Sequence, residues 1–446
     1  AHPLPPCPPD DLPECSARAG EHLAQMLTGT YAAALPEWLA ALAAAGRTVP
    51  ASILLALLEY GRAKEPLRPV ICALLGARGR WLASLNPDWG YASAAQDVSA
   101  PEDVTLRWET GSRATRLATL ARLRADEPGR ARELLAASWA SEKVDERADF
   151  LATFAQGLSA TDEPLLEQAL NDRSERVRRG AAELLCRIPD SALNARMIAR
   201  ASQLVRWVAD AKPQIEVTLP EEYDKAMQRD GIARKPVGSG LGEKAWWLSQ
   251  MIELIPPDVW CTLWDARPVQ IIAVRMPKEW RGLLLASWSE AARRHADQGW
   301  LEALIALRRA DNKPGSLSEL LPHLTPARRE QITMELLQTD QPLDGDHPAL
   351  TSLPSLPGVW SHELARAVLG ALRRRFLASS KVLYSDWQLR AALELFAARM
   401  PTDLAGEAGA VIPDKLRELP GWEESIRQFE GLLRFRDEML RALRES

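Results

Sequence analysis

Apolar residues recur with the period of an α-helix along most of this chain. After Pro50, for example, Ile53, Leu54, Leu57 and Leu58 form a stripe that would bury one face of a helix. Segments rich in proline, glycine and aspartate separate such stretches, as expected of connections between helices. The same spacing predicts helices at 243–255, 258–266, 277–294, 297–309, 326–338, 359–378, 385–400 and 422–444.

A helical-hairpin unit repeats within residues 112–209. Leu117, Leu151 and Leu185 follow one another at intervals of thirty-four residues. Residues 172–188 place an acidic turn, Val-Arg, Ala-Ala and Leu as the second helix of a HEAT-type repeat does. Because one hairpin cannot bury its apolar stripe alone, neighbouring hairpins must stack. The sequence therefore predicts an all-α fold, a HEAT-like α-solenoid of stacked helical hairpins.

Breaks in the helical pattern predict the domain organisation. Residues 1–14 contain six prolines and are expected to form a disordered N-terminal arm. Residues 15–212 form an N-terminal helical-repeat domain. Residues 213–242 form an irregular insertion or junction, in which the alternating apolar residues of 215–219 predict a short hairpin strand. Residues 243–446 form a C-terminal helical domain that continues the solenoid.

Composition narrows the function classes. The formal net charge is −5, with 26% charged residues, so the chain does not have the excess of positive charge typical of a general polyanion binder. Five scattered cysteines are an odd number and form no disulfide framework, which indicates a reducing, cytoplasmic location. No apolar run reaches the roughly eighteen residues that a membrane span needs.

No motif in the chain carries recognisable chemistry, so we predict no catalytic residue, cofactor or metal site. The glycine-rich segment 238–244 could point N–H groups at a phosphate, but neither a preceding strand nor a Ser or Thr after Lys244 supports this, and a flexible connection is favoured. Asp340, Asp344, Asp346 and His347 lack the spacing of a calcium loop and indicate a solvated acidic loop instead.

Sixteen tryptophans are unusual for a chain of this length, and seven of them lie within 246–300. Trp260 and Trp264 share one helical face, which predicts that they are core residues between packed helices. Trp246 and Trp247 are adjacent and point about 100° apart on a helix. We therefore expect one of these two side chains to be exposed, where it could anchor a partner.

Two basic clusters raise the alternative of a DNA-binding or DNA-repair protein similar to the helical-repeat alkylpurine DNA glycosylases. One cluster lies at 62–80, and the other, at 173–212, holds more basic than acidic residues. Gripping DNA requires a continuous positive stripe that neutralises several phosphates. The acidic balance of the whole chain makes nucleic acid the less favoured partner.

Two sequence blocks resemble an uncharacterised bacterial family of HEAT-like helical-repeat proteins of similar length. They are 78–89, with its Arg-Gly-Arg-Trp-Leu and Asn-Pro-Asp-Trp elements, and 240–246, with Gly-Glu-Lys-Ala-Trp. Members of that family are encoded beside MoxR-type AAA ATPases, von Willebrand A-domain proteins and SWIM zinc-finger proteins. No catalytic residue or activity carries over from this resemblance. What it implies is a scaffold or adaptor in an ATPase-dependent, chaperone-like assembly.

We therefore expect a non-catalytic protein-binding scaffold or adaptor. The resemblance implies an AAA ATPase or a von Willebrand A-domain protein as its partner, and neither nucleic acid nor a membrane is expected. A third possibility, an enzyme without a recognisable motif, would need a pocket with converging polar groups and perturbed pKa values. The candidate interaction residues are Arg78, Arg80, Trp81, Trp89, Glu243, Lys244, Trp246 and Trp247.

Overall fold

The structure is a computed structural model, and its fold is all-α, as the sequence predicts. Within the described part of the chain, one two-stranded sheet is the only exception to helix and loop. The described residues are 6–10, 12–93, 101–236, 238, 240–311, 317–339, 341–345, 347–377 and 386–445, with the backbone alone at 101–103.

Helices follow one another from the N-terminal region onward. The first six are α1 Ala17–Leu27, α2 Leu35–Ala44, α3 Leu54–Ala63, α4 Arg68–Leu74, α5 Gly76–Leu85 and α6 Gly90–Ser93. The next seven are α7 Pro101–Thr110, α8 Arg113–Asp126, α9 Pro128–Ser138, α10 Val144–Ala152, α11 Glu163–Ala169, α12 Glu175–Leu185 and α13 Ala192–Leu204.

Two short strands and thirteen further helices complete the fold. After β1 Val205–Val208 and β2 Gln214–Val217 come α14 Lys225–Arg229, α15 Glu243–Glu253, α16 Asp258–Trp264, α17 Pro268–Ala273, α18 Lys278–His295 and α19 Gln298–Ala310. The last seven are α20 Pro326–Leu337, α21 Pro348–Ser352, α22 His362–Phe376, α23 Trp387–Arg399, α24 Ala405–Val411, α25 Asp414–Arg417 and α26 Trp422–Arg444.

Single 3-10 turns lead into or connect many of these helices. They are Ala32–Ala34, Ala51–Ile53, Glu65–Leu67, Pro87–Trp89, Trp139–Ser141, Thr153–Ala155, Ala160–Asp162, Leu321–His323, Leu353–Ser355 and Thr402–Leu404. Serine caps fix several helix starts, because the hydroxyl oxygen accepts a backbone N–H that has no partner inside the helix. Ser16, Ser112, Ser191 and Ser361 act in this way.

The helices form two compact units. The terminal unit contains α1–α6 and α20–α26, so it is built from both the first and the last segments of the chain. The central unit contains α7–α19 and both strands. The predicted boundaries at residues 14, 212 and 242, and the predicted solenoid arrangement, stay predictions. No described helix has the length and apolar character that crossing a bilayer requires.

The terminal unit is built around its last helix. Helix α26 packs on α1, α2 and α23. The ring of Phe435 lies 5.2 Å from that of His22 and 4.9 Å from that of Tyr31, centroid to centroid. Arg436 is 0% exposed, and its guanidinium binds both oxygens of the Glu37 carboxylate, at 2.6 and 2.8 Å. The C-terminal helix therefore holds the N-terminal helices in place.

The central unit has a core of packed tryptophans, as the sequence predicts. Trp260 is fully buried, and its ring lies 4.9 Å from that of the half-buried Trp264. Trp288 and Trp300 are also fully buried, with ring centroids 5.3 Å apart. Indole rings fill the wide gaps between helices here, and paired aromatic rings stabilise such contacts beyond their buried area.

The strand predicted within 215–219 is confirmed as β2, which pairs in antiparallel register with β1 from Val205↔Val217 to Val208↔Gln214. The prediction that the helical repeats extend to residue 209 is wrong, because α13 ends at Leu204. β-Branched and aromatic residues follow that point, and they pack better on an extended chain than in a helix.

A fully buried ion pair fixes the middle of the central unit. Arg124 and Asp162 are both 0% exposed, and two N–H···O hydrogen bonds of 3.0 and 2.9 Å join them. The other guanidinium N–H groups donate to the carbonyl oxygens of Gln156, Pro128 and Gly157. All five donors of this guanidinium are therefore used, which is what a buried charge requires.

Candidate functional site

A polar cavity in the central unit lies beside one of the predicted tryptophans. Its volume is about 350 Å³. Trp246, Gln250 and Glu253 line it from α15, since positions i, i+4 and i+7 share one helical face. Helix α12, residues 231–233 and Arg294 on α18 form the other walls. We call this cavity the Trp246 pocket. Its polar and aromatic lining consists of Glu175, Arg179, Glu183, Trp246, Gln250, Glu253 and Arg294.

The walls of the Trp246 pocket are held by hydrogen bonds. The Gln250 amide accepts the N–H of Ala233 at 2.8 Å and donates to the carbonyl of the same residue at 3.1 Å. The Nε1–H of Trp247 donates to the carbonyl of Arg234 at 2.8 Å. Two side chains of α15 thus hold the 231–234 segment by its backbone, so the pocket is shaped before any ligand binds.

Of the adjacent tryptophans, Trp247 is the core residue, only 5% exposed and in ring contact with Tyr223. Trp246 is half-buried and lines the pocket. Its Nε1 atom is buried and has no hydrogen-bond partner among the described residues. The Nε1 atoms of the core residues Trp38, Trp260 and Trp288 are in the same state, so this donor alone does not indicate a ligand.

Glu253 is the titratable group that stands out in the pocket. Burial raises the pKa of its carboxyl group to about 7, and the nearby carboxylates of Glu290 and Glu183 act in the same direction. The guanidinium groups of Arg294 and Arg179 act to lower that pKa. Within the described residues, no hydrogen bond or ion pair reaches the Glu253 carboxyl group, although its backbone carbonyl accepts from Arg294 at 3.2 Å.

We predict that Glu253→Gln stabilises the protein at alkaline pH. The folded protein raises the pKa of Glu253 from the ordinary 4.5 to about 7, so this group favours the folded state only while it is protonated. That contribution is lost as the pH rises from 4.5 through 7. In urea unfolding the variant should match the original protein at pH 4 and exceed it by about 3 kcal/mol at pH 8. An equal difference at both pH values would contradict this pKa.

The other predicted residues of α15 do not line the pocket. Glu243 and Lys244 are exposed in the first turn of the helix. The second predicted group belongs to the terminal unit. There the Arg78 guanidinium lies 3.4 Å from the Glu14 carboxylate, and Trp89 donates its Nε1–H to Glu59 at 2.8 Å. Arg80 and Trp81 are half-buried on α5. Of the predicted residues, the structure thus places Trp246 in the wall of the cavity described above.

Sequence reasoning missed a second cavity, an apolar groove of about 760 Å³ in the terminal unit. In each of its two walls the lining residues follow the helical spacing i, i+3, i+4, i+7 and i+8. Val359, which is exposed, lies at one edge. We call it the alanine groove, after the small residues of its walls. The wall around α2 consists of Ala33, Pro36, Glu37, Ala40 and Ala41, and the wall on α23 consists of Ala391, Glu394, Leu395, Ala398 and Arg399.

Arg436 fastens both walls of the alanine groove to α26. Besides its two bonds to Glu37 on α2, the guanidinium donates to the carbonyl oxygens of Ala397 and Met400 at the end of α23. Four hydrogen bonds from one buried side chain therefore set the separation of the walls. The signal in the sequence was weak because alanine carries no chemistry of its own.

In the described ranges, no group of three or more His, Cys, Asp or Glu side chains lies close enough together to hold a metal ion. Asp340 and Asp346 of the predicted acidic loop lie outside the described residues, as does Ser239 of the glycine-rich segment. Residues 1–5 and 11 of the predicted N-terminal arm lie outside them as well.

A family model described as "Family of unknown function (DUF5691)" matches residues 1–443. Among curated proteins and solved structures, nothing matches the chain. The expected membership in an uncharacterised family is therefore confirmed, and the genomic neighbourhood attached to that expectation stays a prediction. The geometry of the two cavities is therefore the structural feature that bears most directly on function.

Proposed function

We propose that this chain, which belongs to the DUF5691 family of unknown function, is a non-catalytic adaptor that receives an amphipathic helix of a protein partner in the alanine groove. The resemblance noted in the sequence supports an AAA ATPase or a von Willebrand A-domain protein as that partner. The single observation that carries the proposal is the apolar groove between the α2 region and α23, whose two walls carry five alanines at helical spacing.

The shape of the groove favours a helix. Both walls are helical, and alanine side chains let another helix approach closely between them. A helix that binds in this way presents large aliphatic residues at i, i+3 or i+4, and i+7. Burial of those side chains would supply the affinity, at about 25 cal/mol for each Å² of apolar surface removed from water.

The rim of the groove specifies the charge of the occupant. Glu394 is exposed and has no ion-pair partner among the described residues. Arg399, in contrast, donates to the Gly358 carbonyl at 3.1 Å, and Glu37 is bound by Arg436. One negative charge, on Glu394, and one positive charge, on Arg399, therefore remain at the rim, so the partner helix should carry Lys or Arg facing Glu394 and Asp or Glu facing Arg399.

Ala40→Lys tests the groove, because the new side chain would fill it and place a buried charge against an apolar helix. We expect at least ten-fold weaker binding to the purified MoxR-type ATPase or von Willebrand A-domain protein of the same organism, measured by calorimetry. Ala43→Lys is the matched control. It makes the same change at an exposed position of α2 that does not line the groove, and it should leave binding unchanged.

Each failure has a distinct meaning. If neither purified protein binds, the class of partner is wrong. If one binds and both alanine variants bind equally well, the groove is not the contact. A dimer that Ala40→Lys dissociates, seen by light scattering, would make a second copy of this chain the occupant instead.

The DNA-binding alternative has less support from the described residues. In the first basic cluster, Arg62 lies 2.9 Å from the Glu59 carboxylate, and Arg68 lies 3.6 Å from that of Glu65. Arg78 also has a carboxylate neighbour, Glu14. Arginines that are already paired with acids contribute less to neutralising phosphates.

A further inference from the structure

We propose that the Trp246 pocket binds an arginine, either the free amino acid or a residue of a polypeptide, through its guanidinium group. This inference goes beyond the proposed adaptor role, because it concerns a separate cavity in the central unit. It rests on the charges of the lining and on the aromatic wall.

The charge balance of the lining favours a cation. Three carboxyl groups and two guanidinium groups surround the cavity. Arg294 is paired with Glu290 at 3.3 Å, and Arg179 lies 3.9 Å from Glu183. Glu253 has no such partner among the described residues. Glu175, which is exposed, also has no ion pair among the described residues, so a bound cation would neutralise carboxylates that the protein itself leaves unpaired.

The aromatic wall favours a guanidinium over other cations. The half-buried indole of Trp246 lines the cavity, and tryptophan is the best ring for cation–π attraction. A planar guanidinium can stack on an indole and can also donate two parallel hydrogen bonds to a carboxylate. Glu253 lies two helical turns from Trp246 on the same face of α15, so one ligand can reach both groups.

The buried Nε1–H of Trp246 adds a further requirement. A guanidinium has donors only, so it cannot satisfy this group. An arginine also carries a carbonyl or carboxylate oxygen at its other end, which could accept that hydrogen bond. This distinguishes arginine from simple alkylguanidinium compounds. The cavity of about 350 Å³ lies within the usual range of small-ligand sites.

Binding should be coupled to the ionisation of Glu253. The charged groups around its carboxyl are Arg179 and Glu183 on α12 and Glu290 and Arg294 on α18, and the pKa without ligand is about 7. A cation in the pocket lowers that pKa, so the carboxyl group loses a proton when the ligand binds. Affinity should therefore rise between pH 6 and pH 8, with about half a proton released for each ligand at pH 7.

The test is calorimetry with four probes: L-arginine, N-acetyl-arginine methylamide, ethylguanidinium and the neutral isostere N-acetyl-citrulline methylamide. Titration at pH 7 in buffers of different ionisation enthalpy measures the proton release. We expect at least one of the two arginine compounds to bind. Compared with that compound, ethylguanidinium should bind more weakly and the citrulline compound at least ten-fold more weakly. Binding of L-arginine alone would indicate a free amino acid, and binding of the blocked compound would indicate a residue in a polypeptide.

The variants separate this site from its surroundings. Glu253→Gln keeps the shape of the side chain, and it should weaken binding at least ten-fold and abolish the proton release. Glu243→Gln changes an exposed carboxylate of the same helix outside the pocket and should have no effect. Ala40→Lys, the groove variant, should also bind arginine normally, so the two proposals fail independently. Equal binding of the citrulline compound, normal binding by a folded Glu253→Gln variant, or no binding at millimolar arginine would overturn the proposal.

Discussion

Arg436→Met is expected to lower the free energy of unfolding of the terminal unit by about 3–5 kcal/mol, which is the usual cost of leaving a buried charge without its partner. Arg436 is 0% exposed, and the side chain of Glu37 is 18% exposed. Methionine would fill much of the same space but would leave the carboxylate and the carbonyl oxygens of Ala397 and Met400 without their donor. Urea unfolding followed by circular dichroism measures the effect.

Arg441→Met is the matched control on the same helix. Arg441 is exposed and pairs with Asp437, one turn away on the same helix, so its replacement should cost less than about 0.5 kcal/mol. The double variant Arg436→Met with Glu37→Leu should recover part of the loss, because it removes both charges. If Arg436→Met costs no more than Arg441→Met, the bonds from Arg436 do not hold the helices together.

Asp162→Ala should destabilise the central unit to a similar extent, by about 3–5 kcal/mol. The change would leave two N–H groups of the buried Arg124 guanidinium without an acceptor. It would also remove the oxygen that accepts the backbone N–H of Ser159 at 3.0 Å. Thermal unfolding and hydrogen exchange of residues 113–169 provide the measurement, and both should show the loss.

Asp126→Ala serves as the control for this position. The Asp126 carboxylate is exposed and lies 3.6 Å from Arg122 on the same helix, so its removal should cost a few tenths of a kcal/mol. Equal effects of the two aspartate variants would mean that the burial of the Arg124–Asp162 pair has no energetic importance.

The helices could be predicted because their signal is local. The predicted segments 258–266, 277–294 and 297–309 differ from α16, α18 and α19 by at most two residues at either end. Each end is marked by proline, aspartate or the last apolar residue of a stripe. β1 was missed because a four-residue strand depends on its partner strand rather than on a pattern of its own.

The cavities could be predicted only in part, because they depend on contacts between distant residues. The adjacent Trp246 and Trp247 predicted one exposed indole, which is wrong, because Trp246 is half-buried and Trp247 is buried. Nothing local distinguished Glu253 from the many solvated carboxylates. Its unusual pKa arises from burial among helices that the sequence does not place. The Arg436–Glu37 pair joins residues 399 positions apart, so no pattern within a window could reveal it.

The terminal unit is assembled from two segments that lie on either side of the central unit in the chain, and this order has a consequence for synthesis on the ribosome. Its first six helices are translated before the central unit, but α26, which carries Arg436 and packs on α1 and α2, is translated after it. The nascent chain therefore exposes the apolar faces of α1 and α2 throughout the production of the central unit. Until α26 has been translated, these helices depend on chaperones or on transient contacts to avoid aggregation.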